Sequence, residues 1–312
     1  MNYIKSPINY TGNKYRLLKQ FELFIPSHTK TFVDLFCGGA TVGFNVNADK
    51  IVLIDNNPRV INLLKCLAEK KINKIISAIE LLIEDYNLSY SYKYTFKYYR
   101  DSGYVVGNNG LKAYNEQGYY KLREDYNLLK NKKTFKANMM LYVLMVYGFN
   151  NDIRFNGKGE FNLPVGKTDF NKSNYTKLIE YNERAQKICY EFVCADFKSQ
   201  EVKEILLNSD FVYCDPPYLI TNAVYNENNG WSENDENDLL KLLSELDTNK
   251  IKFALSNVLE KKGVKNNILS SWVNNNRFDI NDIDYNYKSS SYNKNNRDAN
   301  EREVLITNYN AK

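Results

Sequence analysis

Two successive short apolar runs limit the fold of this chain more than any other feature. They are TFVDLF (residues 31–36) and KIVLID (residues 50–55), and their length favours buried strands. A tight turn follows the first run, and the sequence is compatible with a helix from Thr41 onward. A helix is also expected after the second run, with Pro58 near its first turn. Strands that alternate with helices predict a parallel sheet and an α/β fold.

Five further runs are candidates for strands of the same sheet. They are YEFVCADF (190–197), DFVYCDPPY (210–218), KIKFALSN (250–257), FDINDIDYNY (278–287) and EREVLITNY (301–309). ENDLLKLLSEL (236–246) has the periodicity of an amphipathic helix. The last two runs are separated by the polar run KSSSYNKNNRDAN and are expected at the sheet edge. Seven strands are therefore predicted.

The middle of the chain, residues 85–187, departs from this alternation and is interpreted as an insertion into a domain formed by residues 1–84 and 188–312. From Tyr86 to Lys187 there are 17 Lys and Arg against 9 Asp and Glu, and 11 of the 26 tyrosines lie between Tyr86 and Tyr126. One apolar helix is expected at residues 137–147, and IRFNGKGEFNL (153–163) has the pattern of a β-hairpin around Asn156 and Gly157. Basic residues among aromatics suit a surface that meets phosphates and bases, but biased composition produces the same pattern on an ordinary solvated surface.

Composition narrows the function classes. No apolar stretch is long enough to span a bilayer, and the N-terminus lacks the charged start and apolar run of a leader, so we expect a cytoplasmic protein without a membrane partner. The five cysteines form no CxxC pair and His28 is the single histidine, which leaves few ligands for zinc and predicts a metal-free protein. Chemistry that needs an imidazole relay would depend on His28 alone.

The turn after the first strand suggests a nucleoside site. Asp34, Phe36, Gly38 and Gly39 lie where the strand ends, and glycines there allow a ligand to approach the backbone. Asp55, at the end of the second strand, could accept hydrogen bonds from both hydroxyls of a ribose. The alternative is an ordinary turn followed by a helix-capping acid, since the spacing departs from the dinucleotide-binding pattern.

The segment DPPY, residues 215–218, carries the most specific chemistry. Two prolines lock the backbone, so the Asp215 carboxylate and the Pro216 carbonyl can be held at a fixed separation. Two acceptors so placed can take both hydrogens of an amine and direct its lone pair at an electrophile. Tyr218 offers a face on which a base can stack. The alternative is a rigid surface turn after a strand.

Six segments, in this order, resemble the DNA adenine methyltransferases of the alpha class, the Dam-like group. They are NYTGNK (9–14), DLFCGGA (34–40), LIDNN (53–57), CADF (194–197), CDPPY (214–218) and EREVLITN (301–308). IRFNGKGEFNLPVG also resembles the target-recognition hairpin of that group, so the resemblance covers nearly the whole chain. It implies a Rossmann-like, mostly parallel, seven-stranded methyltransferase sheet with an inserted, mainly helical target-recognition domain carrying a β-hairpin.

The resemblance also implies S-adenosylmethionine as methyl donor and places its contacts. Tyr10 and Lys14 would lie near the methionine part, Phe36 and the glycine turn beside the cofactor, Asp55 at the ribose and Asp196 at the adenine ring. The full implied set of cofactor residues is Tyr10, Lys14, Asp34, Phe36, Gly38, Gly39, Asp55, Asp196 and Phe197. Position 10 is more often tryptophan in this group.

The implied reaction is methyl transfer to the N6 amine of an adenine flipped out of double-stranded DNA. Asp215, Pro216, Pro217 and Tyr218 would form the catalytic segment, and no covalent enzyme intermediate is needed. The residues expected to contact DNA are Asn151, Arg154, Asn156, Lys158 and Asn162. Asp152 stands where the GATC-reading members carry an apolar residue, so no recognition sequence is assigned.

Three alternatives remain open. The first is a cytosine-amine or RNA methyltransferase with the same cofactor, although such enzymes more often have Ser or Asn where Asp215 stands. The second is a catalytically inactive relative that only clamps DNA, and a nicotinamide dehydrogenase is a distant third. A monomer is expected, and family habit suggests a cognate restriction endonuclease that acts on the same site without direct contact.

Overall fold

The computed structural model describes residues 3–105, 107–220, 230–283 and 301–310, and it confirms the α/β fold. Within these residues one sheet contains eight strands. The strands are β1 (Thr29–Leu35), β2 (Ala48–Asp55), β3 (Tyr190–Cys194), β4 (Phe211–Cys214), β5 (Lys252–Lys261), β6 (Val264–Lys265), β7 (Asp279–Asp282) and β8 (Glu301–Thr307). All seven predicted strands are present, and the eighth, β6, is a two-residue addition that pairs with β5.

The sheet is mostly parallel, with the order β3-β2-β1-β4-β5-β8-β7. β3, β2, β1, β4 and β5 run parallel to one another. β8 is antiparallel to both β5 and β7, which places the first residues of β8 at the same edge as the carboxyl ends of the parallel strands. β7 lies at the edge of the sheet, as predicted for the C-terminal pair. The remainder of the predicted run after Ile283 and the polar run 288–300 lie outside the described residues.

Ten α-helices occur in the described ranges. They are α1 (Leu18–Phe21), α2 (Pro58–Glu69), α3 (Ile72–Asp85), α4 (Ser91–Asp101), α5 (Lys112–Leu128), α6 (Phe135–Tyr147), α7 (Lys172–Ala185), α8 (Gln200–Leu207), α9 (Glu233–Thr248) and α10 (Asn267–Asn276). None of these helices is long and apolar enough to cross a membrane.

The start of α2 follows the sequence expectation. The side chain of Asn57 accepts from the backbone N–H groups of Arg59 and Val60, and Pro58 occupies the first turn, where its missing N–H has no cost. α9 begins with a capping box between Ser232 and Asp235. These caps satisfy backbone donors that a helix cannot satisfy internally.

The helix expected from Thr41 is absent, and the prediction was wrong. The structure has only a short 3-10 turn, Gly43–Asn45, before β2 begins. The reason is the short distance between the elements, because β2 begins at Ala48 and leaves only residues 41–47 after the turn. Phe36, Gly38 and Ala40, with φ values of 65°, 47° and 55°, form the left-handed turn before Thr41 and cannot themselves belong to a right-handed helix.

The described residues form two compact units. The first takes in residues of 1–13, 38–44 and 57–188, and it contains α2 to α7. Its centre is α6, which is buried from Ala137 to Tyr147, as the predicted apolar helix requires. The insertion assigned to residues 85–187 lies within this unit, together with α2 and α3. The role of the unit in target recognition stays a prediction.

The second unit takes in residues of 14–37, 45–56 and 189–312 and contains all eight strands. Its core is made of aliphatic side chains from the central strands and from the helices packed on them. Representative members are Val33, Val52, Val212, Leu243 and Phe253, each at most 2% exposed. Parallel strands are buried on both faces, which is why their sequences read as continuous apolar runs.

Candidate active site

Several predicted residues lie along one edge of the sheet in the second unit. Phe36 directly follows β1, Asp55 is the last residue of β2, Asp196 follows β3 and Asp215 follows β4. The four strands are adjacent and parallel, so their carboxyl ends meet at this edge. Ligands of open α/β sheets bind beyond such ends. The sequence motifs are therefore brought to the place where this fold binds ligands.

Asp215 is part of a buried cluster of four polar side chains. Lys14 Nζ lies 3.0 Å from Asp215 Oδ1 and 3.6 Å from Glu303 Oε1. The exposed fractions of the Lys14, Asp215 and Glu303 side chains are 5%, 19% and 12%. An ammonium and two carboxylates thus share a region with little access to water.

The fourth member of the cluster is Tyr218. Its hydroxyl lies 2.9 Å from Asp215 Oδ1 and 3.1 Å from Glu303 Oε1. Lys14 Nζ donates to the same hydroxyl at 2.9 Å. A phenol can accept as well as donate, so this hydroxyl connects the two carboxylates.

The electrostatics of the cluster are set by burial and by Lys14. Burial raises the pKa of Asp215, and the ammonium of Lys14 offsets part of that rise. Burial also raises the pKa of Glu303; Lys14 lowers it and the neighbouring Asp215 carboxylate raises it further. Burial and the two carboxylates hold the pKa of Tyr218 well above its usual value, so the phenol keeps its proton.

Lys14 makes contacts in the structure that the sequence did not predict. Its ammonium pairs with Asp215 and Glu303, and its expected place near the methionine part of the cofactor stays a prediction. The backbone N–H of Asp215 donates to Leu35 O at 3.4 Å. Pro216, the next residue, is buried. The DPPY corner is thus tied to the end of β1 on one side and to Lys14 on the other.

A second feature of this edge is a cluster of three aromatic rings. The Phe36 ring lies 5.3 Å from that of Phe197 and 5.6 Å from that of Trp231, measured between centroids. The Phe197 and Trp231 rings are 5.4 Å apart. Trp231 is held in turn by the buried Glu236, whose Oε2 accepts from Trp231 Nε1 at 2.6 Å. The aromatic cluster Phe36, Phe197 and Trp231 forms an apolar group of side chains at this edge, and Phe197 directly follows Asp196 in the sequence.

The acids predicted to bind the cofactor differ in burial. Asp34, within β1, is 2% exposed and Asp55 is 8% exposed. Asp34 contributes to raising the pKa of the buried thiols of Cys37 and Cys214. Asp196 is exposed and its Oδ1 accepts from the Lys198 N–H at 2.8 Å, which fixes the loop after β3.

In the first unit, the glycine turn is packed against protein side chains. A Cβ at Gly38 would lie 2.8 Å from two ring carbons of Tyr10, and a Cβ at Gly39 would lie 3.0 Å from Ser6 Oγ. Gly38 also has a φ of 47°. Glycine is therefore required at position 38 to let Tyr10 pack on the turn. The Tyr10 side chain thus lies over both glycines, while their assignment to the cofactor stays a prediction.

The predicted hairpin is present in the first unit, with a different turn. Phe155 and Phe161 form an antiparallel bridge, and Asn162 N donates to Arg154 O at 3.2 Å. The turn is longer than a two-residue Asn-Gly turn, because Asn156 Oδ1 accepts from the N–H groups of Lys158 and Glu160. Gly159, with φ of 74°, closes it.

The residues expected to contact DNA make several bonds within this region. Arg154 Nε donates to Asn162 Oδ1 at 2.9 Å, and Asn156 Nδ2 donates to Glu160 Oε2 at 2.9 Å. Asn151 Nδ2 donates to Thr168 Oγ1 at 3.0 Å. Arg154 and Lys158 are exposed. The hairpin thus presents two basic side chains, while its asparagines stabilise its shape.

Arg59, at the start of α2, stabilises the hairpin through hydrogen bonds and a ring contact. Its Nη2 donates to Gly159 O at 3.2 Å and its Nη1 to the Tyr126 hydroxyl at 3.0 Å. The guanidinium also lies 4.9 Å from the centroid of the Phe155 ring. A planar guanidinium suits this combination of two acceptors and a ring face.

Eight of the eleven tyrosines in the tyrosine-rich stretch form two groups that differ in burial, and the other three are half-buried. Tyr90, Tyr99, Tyr119 and Tyr126 are buried and belong to the core of the first unit. Tyr92, Tyr94, Tyr98 and Tyr104 are 38% to 51% exposed. Both interpretations offered for this stretch concerned a surface, so the buried group was not foreseen, and contact of the exposed group with nucleic acid stays a prediction.

His28 and the cysteines do not form a catalytic or metal group at this edge. His28 precedes β1 and its Nε2 lies 3.0 Å from Asp49 Oδ1, near the amino ends of β1 and β2. The five cysteines are free. Within the described ranges, no three His, Cys, Asp or Glu side chains are grouped so as to hold a metal ion.

Three residues of structural importance were missed by the sequence interpretation: Glu303, Trp231 and Arg59. Glu303 lies inside a segment that carried the family resemblance, and the antiparallel direction of the last strand would have placed it at the site edge. Trp231 directly precedes the capping box of α9. For Arg59 no periodicity or motif indicated its contact with the hairpin.

The sheet order and the corner at Asp215 assign the chain to the α/β methyltransferases. Comparison with protein families makes this specific: residues 10–292 match the model of the D12 class N6 adenine-specific DNA methyltransferases, and the chain belongs to this family. Methyltransferases of this family use S-adenosylmethionine as methyl donor.

Curated relatives agree with the family. The chain is 37% identical to the type II methyltransferase M.FokI of Planomicrobium okeanokoites, over 99% of this chain and 43% of that protein. It is 34% identical to the modification methylase StsI of Streptococcus sanguinis, over 99% of this chain and 44% of that protein. Identity to the DNA adenine methylase of Escherichia coli K12 is 25%, over 70% of this chain and 66% of that protein. The chain spans less than half the length of the first two relatives.

Proposed function

We propose that this chain transfers a methyl group from S-adenosylmethionine to the N6 amine of an adenine flipped out of double-stranded DNA, at a specific site. The observation that carries the proposal is the buried DPPY corner, in which Asp215 lies 3.0 Å from the Lys14 ammonium. The ammonium favours the ionised carboxylate, and an ionised carboxylate accepts hydrogen bonds from an amine better than a protonated one.

The corner supplies the acceptors that the reaction needs. The Asp215 carboxylate and the Pro216 carbonyl would each take one hydrogen of the amine, which leaves the nitrogen lone pair directed at the methyl donor. Flipping a base costs a few kcal/mol. Stacking on the Tyr218 ring, about 1 to 3 kcal/mol per base, would offset much of this cost. Catalysis then depends mainly on positioning and on acceptors that are already in place.

The edge of the second unit fits the cofactor. Asp55 at the end of β2 would bind the ribose, and Asp196 the adenine ring. The aromatic cluster Phe36, Phe197 and Trp231 would line the adenosine with apolar faces, which also tolerate a sulfonium. The bound cofactor supplies the electrophilic methyl group. The glycine turn, which follows Phe36 in the chain, would lie beside the cofactor. Tyr10 would lie near its methionine part.

The hairpin of the first unit supports duplex DNA as the substrate. It exposes Arg154 and Lys158, and Arg59 fixes its position. Arginine can read a guanine edge bidentately in the major groove, while lysine meets phosphate as a point charge. The names of the first two relatives favour a role in restriction and modification, in which a cognate endonuclease would act on the same DNA site without touching this chain.

The test is methylation by the purified chain. It is incubated with S-adenosylmethionine and genomic DNA that lacks adenine methylation, and the nucleosides are analysed by mass spectrometry while long-read sequencing maps the modified positions. We expect N6-methyladenine at one sequence motif and loss of the product in Asp215→Ala. Duplex DNA left unmethylated, or full activity in Asp215→Ala, contradicts the proposal.

The same assay separates the alternatives. Methylated cytosine, or product found in RNA but not in DNA, would support a related methyltransferase with another substrate. Binding to DNA without any cofactor binding by calorimetry would support an inactive clamp. Asp210→Asn is a matched control, since Asp210 lies at the other end of β4 and its Oδ2 accepts from the Thr31 N–H.

A further inference from the structure

Glu303 reaches the site from the last strand of the sheet. It pairs with Val258 of β5, and the register between β5 and β8 shifts directly after this pair, between Val258 and Glu260. A bulge of this kind turns the side chains next to it and is common beside active sites. The Glu303 side chain is 12% exposed and points to the Lys14 ammonium and the Tyr218 hydroxyl. A buried carboxylate in this position requires an explanation.

The Tyr218 hydroxyl lies between the two carboxylates at hydrogen-bond distance from both, 2.9 Å to Asp215 and 3.1 Å to Glu303. A hydroxyl so placed can accept a proton from one oxygen while it donates its own to the other. The phenol proton is retained because the pKa of Tyr218 is held well above its usual value. The hydroxyl can therefore pass a proton on without becoming a phenolate.

We propose that Glu303 receives, through the Tyr218 hydroxyl, the proton that Asp215 removes from the methylated amine. The inference rests on the proposed function and adds a second acidic group to it. Glu303 acts through Tyr218 and Asp215, so it is a positioning residue that holds the proton after the transfer. It does not contact the base.

The charges in the cluster determine where the proton comes to rest. One ammonium faces two carboxylates, so the cluster has room for one more proton. Lys14 Nζ is 3.0 Å from Asp215 but 3.6 Å from Glu303, and Coulomb energy falls with distance. The ionised form is thus favoured at Asp215 and the protonated form at Glu303. A free glutamate is also slightly more basic than a free aspartate, by about 0.4 pKa units.

The proton balance is as follows. As the nitrogen–carbon bond forms, the carbon–sulfur bond breaks, and the positive charge moves from sulfur to the amine nitrogen. An N–H bond of that nitrogen then breaks, its electron pair returns to the base, and Asp215 takes the proton. Asp215 gives a proton to the Tyr218 oxygen while the Tyr218 hydroxyl gives its own to Glu303. Asp215 is restored as a carboxylate, and nothing is oxidised or reduced.

Other charged groups face Glu303 and shape its titration. Lys14 lowers its pKa, and Asp215 and Glu301 raise it. Tyr213, on β4, is influenced by the charge of Glu303 and is itself fully buried and protonated. Since burial is the largest influence, the pKa of Glu303 lies above its ordinary value. The relay needs Glu303 ionised before the transfer, so the rate should fall on acidification through this raised pKa.

The first test replaces Glu303 by Gln, which keeps the size and removes the proton acceptor. Single-turnover methylation is measured across pH, together with affinity for cofactor and DNA. We expect the rate to fall by about 10- to 100-fold with little change in either affinity, which is less than the roughly 100- to 10,000-fold contributed by a direct general acid or base, because Glu303 acts through Tyr218. The part of the acidic limb that follows the raised pKa of Glu303 should also disappear, because the variant has no carboxyl group at position 303 to be protonated. Glu191→Gln, an exposed change on β3 at a carboxylate paired with Lys50, is the matched control.

The second test asks whether Tyr218 and Glu303 lie on one path. Tyr218→Phe keeps the ring and removes the hydroxyl, so it should lose rate as Glu303→Gln does. The double variant should be no slower than the slower single variant, because both changes break the same path. Multiplied losses in the double variant, or an unchanged rate and pH limb in Glu303→Gln, overturn the relay.

A measurement without substrate distinguishes failure of the relay from failure of the proposed function. The chain labelled with ¹³C in its carboxyl groups is titrated by NMR, with Glu303→Gln used to assign the Glu303 signal. We expect Glu303 to titrate above the ordinary glutamate range and Tyr218→Phe to change that titration. An ordinary pKa for Glu303 refutes the relay even if the chain methylates DNA. A chain that methylates nothing refutes the proposed function, whatever the titration gives.

Discussion

Lys14 Nζ lies 3.0 Å from Asp215 Oδ1, in a site where the Lys14 side chain is only 5% exposed. The contact joins a residue near the N-terminus to the acid of the DPPY corner. Asp215 is buried enough for its pKa to be raised, and Lys14 is the largest influence that lowers it. The charge of the proposed amine acceptor is therefore set by a residue expected to contact the cofactor.

The first prediction concerns Lys14→Met. Without the ammonium, the pKa of Asp215 rises further, so the carboxylate becomes protonated at a higher pH. We expect methylation to fall most steeply under acidic conditions and to recover in part under alkaline ones, with the acidic limb of the rate profile shifted upward. Single-turnover rates across pH measure this, and Lys19→Met, an exposed change in α1, is the control. A uniform loss at every pH would mean that Lys14 acts only through cofactor or DNA binding.

The second prediction concerns Trp231, whose ring contacts Phe36 and Phe197. Aromatic contacts contribute about 0.5 to 1.5 kcal/mol each. Trp231→Ala should therefore weaken cofactor binding by about tenfold, which corresponds to about 1.4 kcal/mol, and should change the maximal rate little. Calorimetry with S-adenosylmethionine measures the affinity, and Trp231→Phe should retain most of it.

Tryptophan fluorescence gives an independent readout of the same site. The chain has two tryptophans, and the other, Trp272, stacks on Phe253 and donates to Ser244 Oγ at 2.8 Å. In Trp272→Phe, only Trp231 contributes to the emission, and the cofactor should change it. An emission that does not respond to saturating cofactor would place the binding site away from the aromatic cluster.

Much of the site edge could be predicted from sequence because its signals are local. A strand buried on both faces appears in the sequence as an apolar run. An acid at the end of such a strand directly follows the run in the sequence, as Asp55 and Asp215 do. The rigid DPPY corner could likewise be predicted from its two adjacent prolines. What could not be predicted are side-chain contacts between distant parts of the chain, such as Lys14 with Glu303, since no periodicity reports them.

Local interpretation also failed where a side chain or a special backbone angle decides the structure. The helix expected from Thr41 is absent because the turn that ends at Ala40 leaves too few residues before β2 begins at Ala48. The hairpin was correctly located, but the side chain of Asn156 bonds two N–H groups and lengthens the turn. The packing of the Tyr10 ring over Gly38 was not foreseen, because the two residues are far apart in the sequence and no local pattern connects them.

The third prediction concerns Arg59, which supports the hairpin through Gly159 and Tyr126. Arg59→Lys keeps the charge but loses the planar fork. Two hydrogen bonds of about 0.5 to 1.5 kcal/mol each would be weakened, so the hairpin should be less well fixed. We expect weaker DNA binding and poorer discrimination between target and non-target duplexes, measured by fluorescence anisotropy, while cofactor affinity stays the same. Lys65→Ala, on the exposed side of α2, should leave both unchanged.

The fourth prediction separates the two exposed basic residues of the hairpin. The Arg154 guanidinium is oriented by two bonds to Asn162, from Nε at 2.9 Å and from Nη2 at 3.2 Å, which suits a residue that reads a base edge. Lys158 lies at the turn, and its flexible ammonium suits a phosphate. Arg154→Ala should cost about 1 to 3 kcal/mol on the target and relax the methylated motif at one position. Lys158→Ala should weaken binding to every duplex alike and lower the salt dependence by about one phosphate contact. Motif mapping and binding across salt concentrations measure both effects, and equal losses on target and non-target DNA in Arg154→Ala would assign Arg154 to the phosphate backbone.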